Sequence, residues 1–304
     1  MLKSFEEVEQ KARHAGKKRV SVLQAEGQEF LMALKEAYSR GYAEPILIGD
    51  EHAIRNIADR IEFDISSFQV INENDPKKIA ERGVDLVSAG DAHMVLRARI
   101  DGSFMYRAAI KSARDTGMKR QISAAGLLEF PFLPKIIGLT DTGINVAPGY
   151  EEKIEIIRNA VELFCHLGHE KPKVGILSGA RGLNERLRSA EDAIKIREAI
   201  LKDGSINCSI AEGSCLSDFL LEKDNSLESM EEVDYDRIPD FFLVHNIELG
   251  NIFVKIDNIS KIDLFTGFRR HGVLLGAGIP TVIAARSDTH DTIITDIALG
   301  TLIS

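Results

Sequence analysis

Short apolar runs rich in β-branched residues alternate with longer amphipathic stretches along most of this chain. The first run covers residues 19–23, and helical periodicity follows over residues 29–39 until Gly41. This alternation is typical of parallel sheets covered by helices, so it predicts an α/β fold. The next two repeats are a strand over 45–48 with a helix over 51–61, and a strand over 68–71 with a helix over 76–89.

The middle of the chain departs from this alternation. We predict a long helical region over residues 91–116, with an interruption at Asp101 and Gly102. Two strands are then predicted over residues 120–128 and 135–139, and a long helix over residues 150–167.

The alternation resumes after residue 172. The predicted strands cover 173–177, 207–210, 241–245, 264–267 and 281–285. The predicted helices cover 186–201, 215–221, 247–259 and 289–302, with an acidic loop over 223–239 and a glycine-rich stretch between the last two strands. Ser4 and Glu7 have the spacing of a capping box and predict an additional helix near the N-terminus.

Length and charge limit what such a chain does. At roughly 150 residues per domain, 304 residues suffice for about two domains. The net charge of −9 argues against nucleic-acid binding, which needs a basic surface, so local Arg or Lys residues must hold any anionic substrate. The three cysteines include no CxxC pair, and the sequence has neither an apolar signal region nor an apolar run of membrane length. We therefore expect a cytoplasmic protein without a membrane partner.

The most suggestive site is the turn between the last predicted strand and helix, in TVIAARSDTHDTI. Ligands of open α/β sheets bind beyond the carboxyl ends of strands, and a helix start with a nearby Arg286 favours an anion. Asp288, His290 and Asp291 are candidate acid–base groups there. A plain helix cap with a surface arginine explains the pattern equally well.

Two further turns are candidates. In KVGILSGARGLN, the glycines after Ser178 would allow backbone N–H groups to approach a phosphate, although the GK[ST] of a P-loop is missing and an ordinary turn is favoured. In HNIELGNIFVK, Gly250 lies inside a helical stretch and requires a close backbone or ligand approach, and Asn251 and Lys255 share one helix face.

Three other patterns favour structural explanations. The Asp141-Thr142-Gly143 triplet of aspartic proteases occurs once, without a second carboxylate loop. Cys165, His166 and His169 have the atoms of a zinc site but lie at a predicted helix end, where histidine suits the helix dipole. The glycines of residues 272–278 precede a strand and therefore do not form a dinucleotide loop.

Several segments, taken in order, resemble the phosphate acyltransferase family, and are more similar to phosphate butyryltransferases than to phosphate acetyltransferases. The resemblance is weak at the N-terminal strands and strong from Arg97 onward. It rests on LRARIDGSFMYRAAI, RQISAAGLLEF, LTDTGINVAPGYEEKIEIIRNAVEL, KVGILSGARGLNERLRSAEDA, HNIELGNIFVK and GAGIPTVIAARSDTHDTIITDIALG.

The resemblance implies the reaction acyl-CoA + phosphate = acyl phosphate + CoA, with no metal or redox cofactor. It also implies a homodimer or higher homo-oligomer, and two three-layer αβα domains with mostly parallel sheets and an active cleft between them. The implied domains are residues 1–140 with 278–304, and residues 141–277.

Site residues follow from the same resemblance. Arg286 would hold phosphate, Asp291 would accept the thiol proton, and Thr292 or Ser287 would supply a hydroxyl. The implied catalytic residues are Arg286, Asp291 and Thr292, and the implied substrate-binding residues are Arg107, Ser123, Ser178, Asn251, Lys255, Ser287 and Asp288.

The sequence also departs from the family pattern. The serine before the family's arginine is Ala285, the histidine of its SHV segment is Ala124, and the proline of its MPST segment is Arg188. The DGP segment is Glu212-Gly213-Ser214, and Thr292 replaces the aspartate of the acetyltransferases. These departures motivate the alternative of a noncatalytic relative that binds CoA or an acyl phosphate.

A third functional hypothesis, a nicotinamide-dependent dehydrogenase, ranks last, because no GxGxxG follows the first strand.

Overall fold

A computed structural model describes residues 2–220, 235–255, 267–286 and 288–304. Up to residue 115 the elements are α1 (Phe5–Ala15), β1 (Lys18–Leu23), α2 (Gln28–Ser39), β2 (Ala43–Gly49), α3 (Glu51–Arg60), β3 (Val70–Asn72), α4 (Pro76–Ser88), β4 (Met94–Arg97) and α5 (Gly102–Asp115). Next come β5 (Ser123–Glu129), β6 (Ile137–Thr140), α6 (Tyr150–His166), β7 (Lys173–Ile176), α7 (Arg188–Asp203), β8 (Ser209–Ile210), α8 (Leu216–Leu220), β9 (Phe241–Leu243) and α9 (Ile247–Val254). The last elements are β10 (Arg269–Leu275), β11 (Thr281–Ile283) and α10 (His290–Ile303).

The chain divides into two compact units. We call Phe5–Ile122 with His271–Ser304 the flanking unit, and Ser123–Arg270 with the residues before Phe5 the central unit. The bounds predicted from the sequence, at residues 140/141 and 277/278, differ from these and stay a prediction.

Within the flanking unit the strand order is β3-β2-β1-β4-β11-β10. The pairs β2–β3, β1–β2, β1–β4 and β4–β11 are parallel, and β10 pairs antiparallel with β11. The chain leaves β1 toward β2 and β3 and returns on the other side of β1 at β4. The carboxyl ends of β1, β4 and β11 therefore form the edge at which open α/β sheets bind ligands.

Helices cover both faces of this sheet. α10 packs against α1 and α2, whereas α4 packs against α5. Gly300 of α10 lies against Met94, and Gly83 of α4 lies against Leu23. Met94 pairs with Val20, three residues from Leu23, so the two contacts lie on opposite faces of the sheet. The predicted three-layer α/β architecture is confirmed for this unit.

The central unit repeats this architecture with the strand order β5-β6-β9-β7-β8. All its neighbouring strands are parallel except the antiparallel pair β5–β6. Phe164 of α6 lies against Gly138, and Val254 of α9 lies against Gly126. Gly126 pairs with Leu139, the neighbour of Gly138, so α6 and α9 lie on opposite faces.

Local signals explain the starts of two helices. Asp75 caps α4 by accepting a hydrogen bond from the Lys77 N–H at 2.8 Å, and Pro76 follows in the first turn, where its missing N–H is harmless. Asp101 caps α5 in the same way through the Ser103 N–H at 2.9 Å.

Two predictions were wrong. Residues 94–97, placed in a helical region, form strand β4, because Val95 and Leu96 are buried between β1 and β11. Residues 269–275, placed largely in a glycine-rich connection, form strand β10, and Gly272 allows a close approach to Ile283 of β11.

Some predictions fall outside the described residues. These are most of the acidic loop over 223–239, most of the strand over 264–267 and the end of the helix over 247–259. Within the described part of the chain, no helix is long and apolar enough to cross a membrane.

Candidate functional site

The turn between β11 and α10 is closed by its own hydrogen bonds. The Asp288 N–H donates to the Ala285 carbonyl at 3.1 Å, and the Ala285 N–H donates to Asp288 Oδ2 at 2.5 Å. The carboxylate predicted to bind substrate thus shapes the loop that carries Arg286. Ser287, another predicted site residue, lies outside the described residues.

Two arginines belong to the carboxyl ends of neighbouring parallel strands in the flanking unit. Arg97 is the last residue of β4, and Arg286 follows β11. Arg97 is half-buried and donates to the carbonyl oxygens of Ile100 (3.1 Å) and Ala284 (3.3 Å). Arg286 has 54% of its side chain exposed and lies 3.4 Å from Asp101 Oδ2. These two arginine side chains therefore connect the loop after β4 with the loop after β11.

The electrostatics of this pair favour an anion. Burial lowers the pKa of the Arg97 guanidinium, and the charge of Arg286 lowers it further, whereas Tyr106, Asp101 and Asp288 raise it. A shared anion would offset the unfavourable effect of the Arg286 charge on Arg97, and guanidinium groups match the oxygens of phosphate. The sequence singled out Arg286 but missed Arg97 and Asp101 as site residues.

The start of α10 carries the other predicted catalytic residues. The Asp291 carboxylate is 96% exposed, with Oδ1 3.3 Å from His290 Nδ1. Thr292 Oγ1 lies 3.1 Å from Thr289 Oγ1. Two side chains of α2 hold His290. Its backbone N–H donates to Glu29 Oε2 at 3.1 Å, and its ring Nε2 lies 2.9 Å from Glu36 Oε2.

Arg107 faces a cationic pocket on the flanking unit. This pocket has a volume of about 430 Å³ and lies between α4 and α5. Lys77, Phe104 and Lys111 line it with Arg107, and Glu81 contributes one carboxylate. Arg107 is exposed and has no hydrogen-bond or ion-pair partner among the described residues, so its guanidinium is available to a ligand.

In the central unit, the carboxylate of Asp141 organises the loop after β6. It accepts hydrogen bonds from the backbone N–H groups of Ala124, Gly143, Ile144 and Asn145 at 2.8–3.2 Å, and from the Asn145 side chain at 2.5 Å. Because this buried carboxylate accepts five hydrogen bonds within its own loop region, its role is structural. This agrees with rejecting the protease motif.

The Gly250–Asn251 segment packs on this loop. A Cβ at Gly250 would overlap the Asp141 carbonyl oxygen, which explains the glycine by close backbone approach. Asn251 donates to the Thr142 carbonyl at 3.2 Å, and Lys255 lies exposed at the end of α9.

The two predicted serines differ in exposure. Ser178 is half-buried after β7, where its Oγ accepts from the Ala180 N–H at 3.2 Å and lies 3.3 Å from Ser189 Oγ. Ser123 is fully buried, and its Oγ accepts from Asn159 Nδ2 at 3.1 Å. Ser178 can meet a ligand in this conformation, whereas Ser123 supports its neighbours.

A partly buried polar cluster in the central unit was not predicted from the sequence. Lys153 Nζ lies 2.6 Å from Asp192 Oδ2 and 2.9 Å from His245 Nδ1. Burial lowers the pKa of Lys153, and burial together with the charge of Lys153 lowers the pKa of His245. The three residues come from distant positions, so no local spacing signalled them.

The cysteine–histidine segment at the end of α6 does not assemble. His169 is buried, with Nδ1 3.4 Å from Asp240 Oδ2, while Cys165 is exposed and His166 Nδ1 faces the Glu162 carbonyl. In the described ranges, no group of three or more His, Cys, Asp or Glu side chains is arranged to hold a metal ion.

Comparison with known proteins places this geometry in a family. The family model described as phosphate acetyl/butaryl transferase matches residues 78–301. The chain is 29% identical over 304 residues to a phosphate butyryltransferase of Clostridium acetobutylicum, covering 100% of this chain and 99% of that protein. It is 24% identical over 267 residues to a phosphate acetyltransferase of Rhizobium meliloti, covering 88% and 83%.

A solved structure supports the fold. A branched-chain phosphotransacylase from Enterococcus faecalis V583 superposes with a TM-score of 0.71 at 22% identity, covering 94% of this chain and 99% of that one. The predicted family is confirmed. The chain belongs to the phosphate acetyl/butyryl transferase family, is an acyltransferase, and is closer to the butyryltransferases within that family.

Proposed function

We propose that this protein reversibly transfers a short acyl group between CoA and inorganic phosphate. The observation that carries the proposal is the pair Arg97 and Arg286, which lie at the carboxyl ends of adjacent parallel strands with the carboxylates of Asp101 and Asp288 nearby. Inorganic phosphate and the phosphate group of an acyl phosphate both fit such a pair, since each presents several acceptor oxygens.

The Arg107 pocket suits the nucleotide end of CoA. Its three cations, Lys77, Arg107 and Lys111, match phosphate groups, and Phe104 offers an aromatic face to a base. On the strength of the resemblance, we also assign Ser178, Asn251 and Lys255 of the central unit to substrate binding.

The reaction is a single group transfer. The CoA thiol, with a pKa near 8.5, loses its proton to Asp291 and becomes nucleophilic. The thiolate attacks the carbonyl carbon of the acyl phosphate, a C–S bond forms, and the C–O bond to phosphate breaks with its electron pair leaving on phosphate. Arg286 and Arg97 neutralise that leaving dianion, and the hydroxyl of Thr292 or Ser287 donates to the carbonyl oxygen as negative charge develops.

No oxidation state changes in this transfer, so the proposal includes no cofactor besides the two substrates. It also includes a homodimer in the cytoplasm, without nucleic-acid or membrane partners. Light scattering of the purified protein over a concentration series tests the assembly, and a monomer at all concentrations would contradict it.

The test of function measures free thiol release from acyl-CoAs of different chain lengths, with and without phosphate. We expect release that requires phosphate. Release without phosphate would indicate a thioesterase instead. Binding of CoA without release would favour the noncatalytic alternative, which Ala285 and Ala124 motivate.

A further inference from the structure

A histidine at the start of α10 has no role in the proposed chemistry. His290 is the first residue of α10, and 24% of its side chain is exposed. The next residue, Asp291, is the proposed base, and its carboxylate is 96% exposed. Carboxylic acids are in general much stronger acids than thiols, so proton transfer from a thiol to a solvated carboxylate alone is unfavourable. A second proton acceptor beside Asp291 would make this transfer easier.

The ring of His290 lies between two carboxylates. Its Nδ1 lies 3.3 Å from Asp291 Oδ1, and its Nε2 lies 2.9 Å from Glu36 Oε2. An ionised carboxylate only accepts hydrogen bonds, so the contact with Glu36 places a proton on Nε2. In the neutral ring Nδ1 then carries the lone pair, and this atom faces Asp291. A proton on Asp291 is therefore close to an atom that can accept it.

Contacts with neighbouring helices fix the ring in this position. The backbone N–H of His290 donates to Glu29 Oε2 of α2 at 3.1 Å. Glu36, also on α2, is itself paired with Arg40, and Arg40 Nη1 lies 3.0 Å from Glu9 Oε2 of α1. The carboxylate that orients the ring is thus held from its other side.

The charges around His290 favour a protonated ring once a proton arrives. The side chains that face it are carboxylates from α2 and from α10 itself, namely Glu29, Glu36 and Asp291. The positive end of the α10 dipole opposes a charge on the ring, and these carboxylates offset that effect. The imidazolium is therefore stabilised at the place where it forms.

We propose that His290 is a proton relay and positioning residue for the acyl transfer, which takes from Asp291 the proton that Asp291 receives from the thiol. The inference rests on the proposed function and deepens it. The S–H bond breaks as an O–H bond forms on Asp291, and this O–H bond breaks as an N–H bond forms at His290 Nδ1. Nε2 keeps its proton and donates to Glu36 throughout. In the opposite direction the imidazolium returns the proton through Asp291 to the departing thiolate, and between turnovers the ring exchanges its proton with water.

The experiment measures kcat and KM in both directions between about pH 5 and pH 8, for the wild type and for His290→Gln. From acyl phosphate and CoA the ring must start neutral, so kcat should rise with pH, whereas from acyl-CoA and phosphate it must start protonated, so kcat should fall. An imidazole is in general more basic than a carboxylate by about two pH units. His290→Gln should therefore lower kcat about tenfold in each direction, with little change in KM, and remove the opposite pH dependences.

Two further variants test the arrangement. Glu36→Gln still accepts a hydrogen bond from Nε2 but no longer stabilises the imidazolium, so both pH profiles should shift to lower pH. His52→Gln changes an exposed histidine of α3 and is the matched control, which should keep wild-type rates and profiles. Thermal unfolding identifies a variant that fails to fold, and the shift in Glu36→Gln decides the relay if His290→Gln does so.

The outcomes separate this inference from the proposed function. Wild-type kcat in His290→Gln overturns the relay and leaves the function intact, and so does a lowered kcat with unchanged pH profiles, which would indicate a structural role. Absence of turnover in the wild type overturns the function, and NMR titration of the His290 ring then decides the proton coupling. Asp291→Asn and Glu36→Gln should each shift that titration to lower pH, and an unchanged titration in both variants would overturn the coupling.

Discussion

Replacing Arg286 by glutamine should separate catalysis from stability. The Arg286 side chain is largely exposed and its 3.4 Å contact with Asp101 is an exposed ion pair, so its removal should barely change the free energy of unfolding. A hydrogen bond between a guanidinium and a phosphate contributes about 1.5–3 kcal/mol. Its loss should therefore lower kcat/KM for phosphate about 10- to 150-fold.

Arg97→Met also removes one positive charge, but from a half-buried side chain rather than an exposed one. Arg97 donates to two backbone carbonyls, of Ile100 and Ala284, that would be left without these donors. At about 1–2 kcal/mol each, the free energy of unfolding should fall by about 2–4 kcal/mol in addition to the loss of phosphate binding. Arg286→Gln thus affects rate alone, and Arg97→Met affects rate and stability.

The assay combines initial rates over a phosphate series with urea unfolding of each variant. Arg60→Gln, on the exposed face of α3, is the matched control and should change neither quantity. Wild-type kinetics for Arg286→Gln would show that the Arg286 guanidinium does not bind phosphate during turnover.

Four further predictions concern other positions. Burial acts to raise the pKa of Asp240, but hydrogen bonds and positive neighbours outweigh this effect and hold the pKa at about 2. About 2–3 kcal/mol of stability should therefore be present above pH 4 and lost as the pH falls toward 2. Urea unfolding over a pH series measures this loss, and Asp240→Asn should remove the pH dependence. Lys153→Met removes the nearest partner of the buried Asp192 carboxylate, whose other partners, Arg188 and His245, lie 3.9 and 4.0 Å away. It should destabilise the fold by about 3 kcal/mol in urea, and a loss below 1 kcal/mol would contradict the buried pair. Gly250→Ala forces α9 away from the loop it packs on and should lower stability by about 1–3 kcal/mol in thermal unfolding, and an unchanged Tm would argue against the close approach. Asp291→Asn should lower kcat about 100-fold or more with little change in Tm, and full kcat would rule out its role as the base.

The sequence predicted most of the fold because long amphipathic helices and β-branched strands carry local signals. It failed at β4, where Met94–Arg97 continues into residues that also fit a helical period. Burial between two neighbouring strands decided the outcome, and no local window contains those neighbours. Arg97 was missed as a site residue for the same reason, since its importance comes from the end of a strand that was not predicted.

Features of residues close together in sequence were easier to predict than contacts that only the fold creates. The Arg286 turn stood out because strand, turn and helix are contiguous. Gly250 was predicted to need a close approach, although only the structure identifies the Asp141 carbonyl as the neighbour. Lys153 and His245 lie 92 residues apart, so their contact depended on the packed structure.

In the proposed reaction, acyl transfer to phosphate is coupled one to one with release of CoA. The direct measurement incubates the purified protein with butyryl-CoA and phosphate, and quantifies free thiol together with butyryl phosphate trapped as its hydroxamate. We expect equal amounts of both products, a rate that depends on phosphate, and the reverse reaction from butyryl phosphate and CoA. Thiol release without acyl phosphate, or no release at any phosphate concentration, would contradict it.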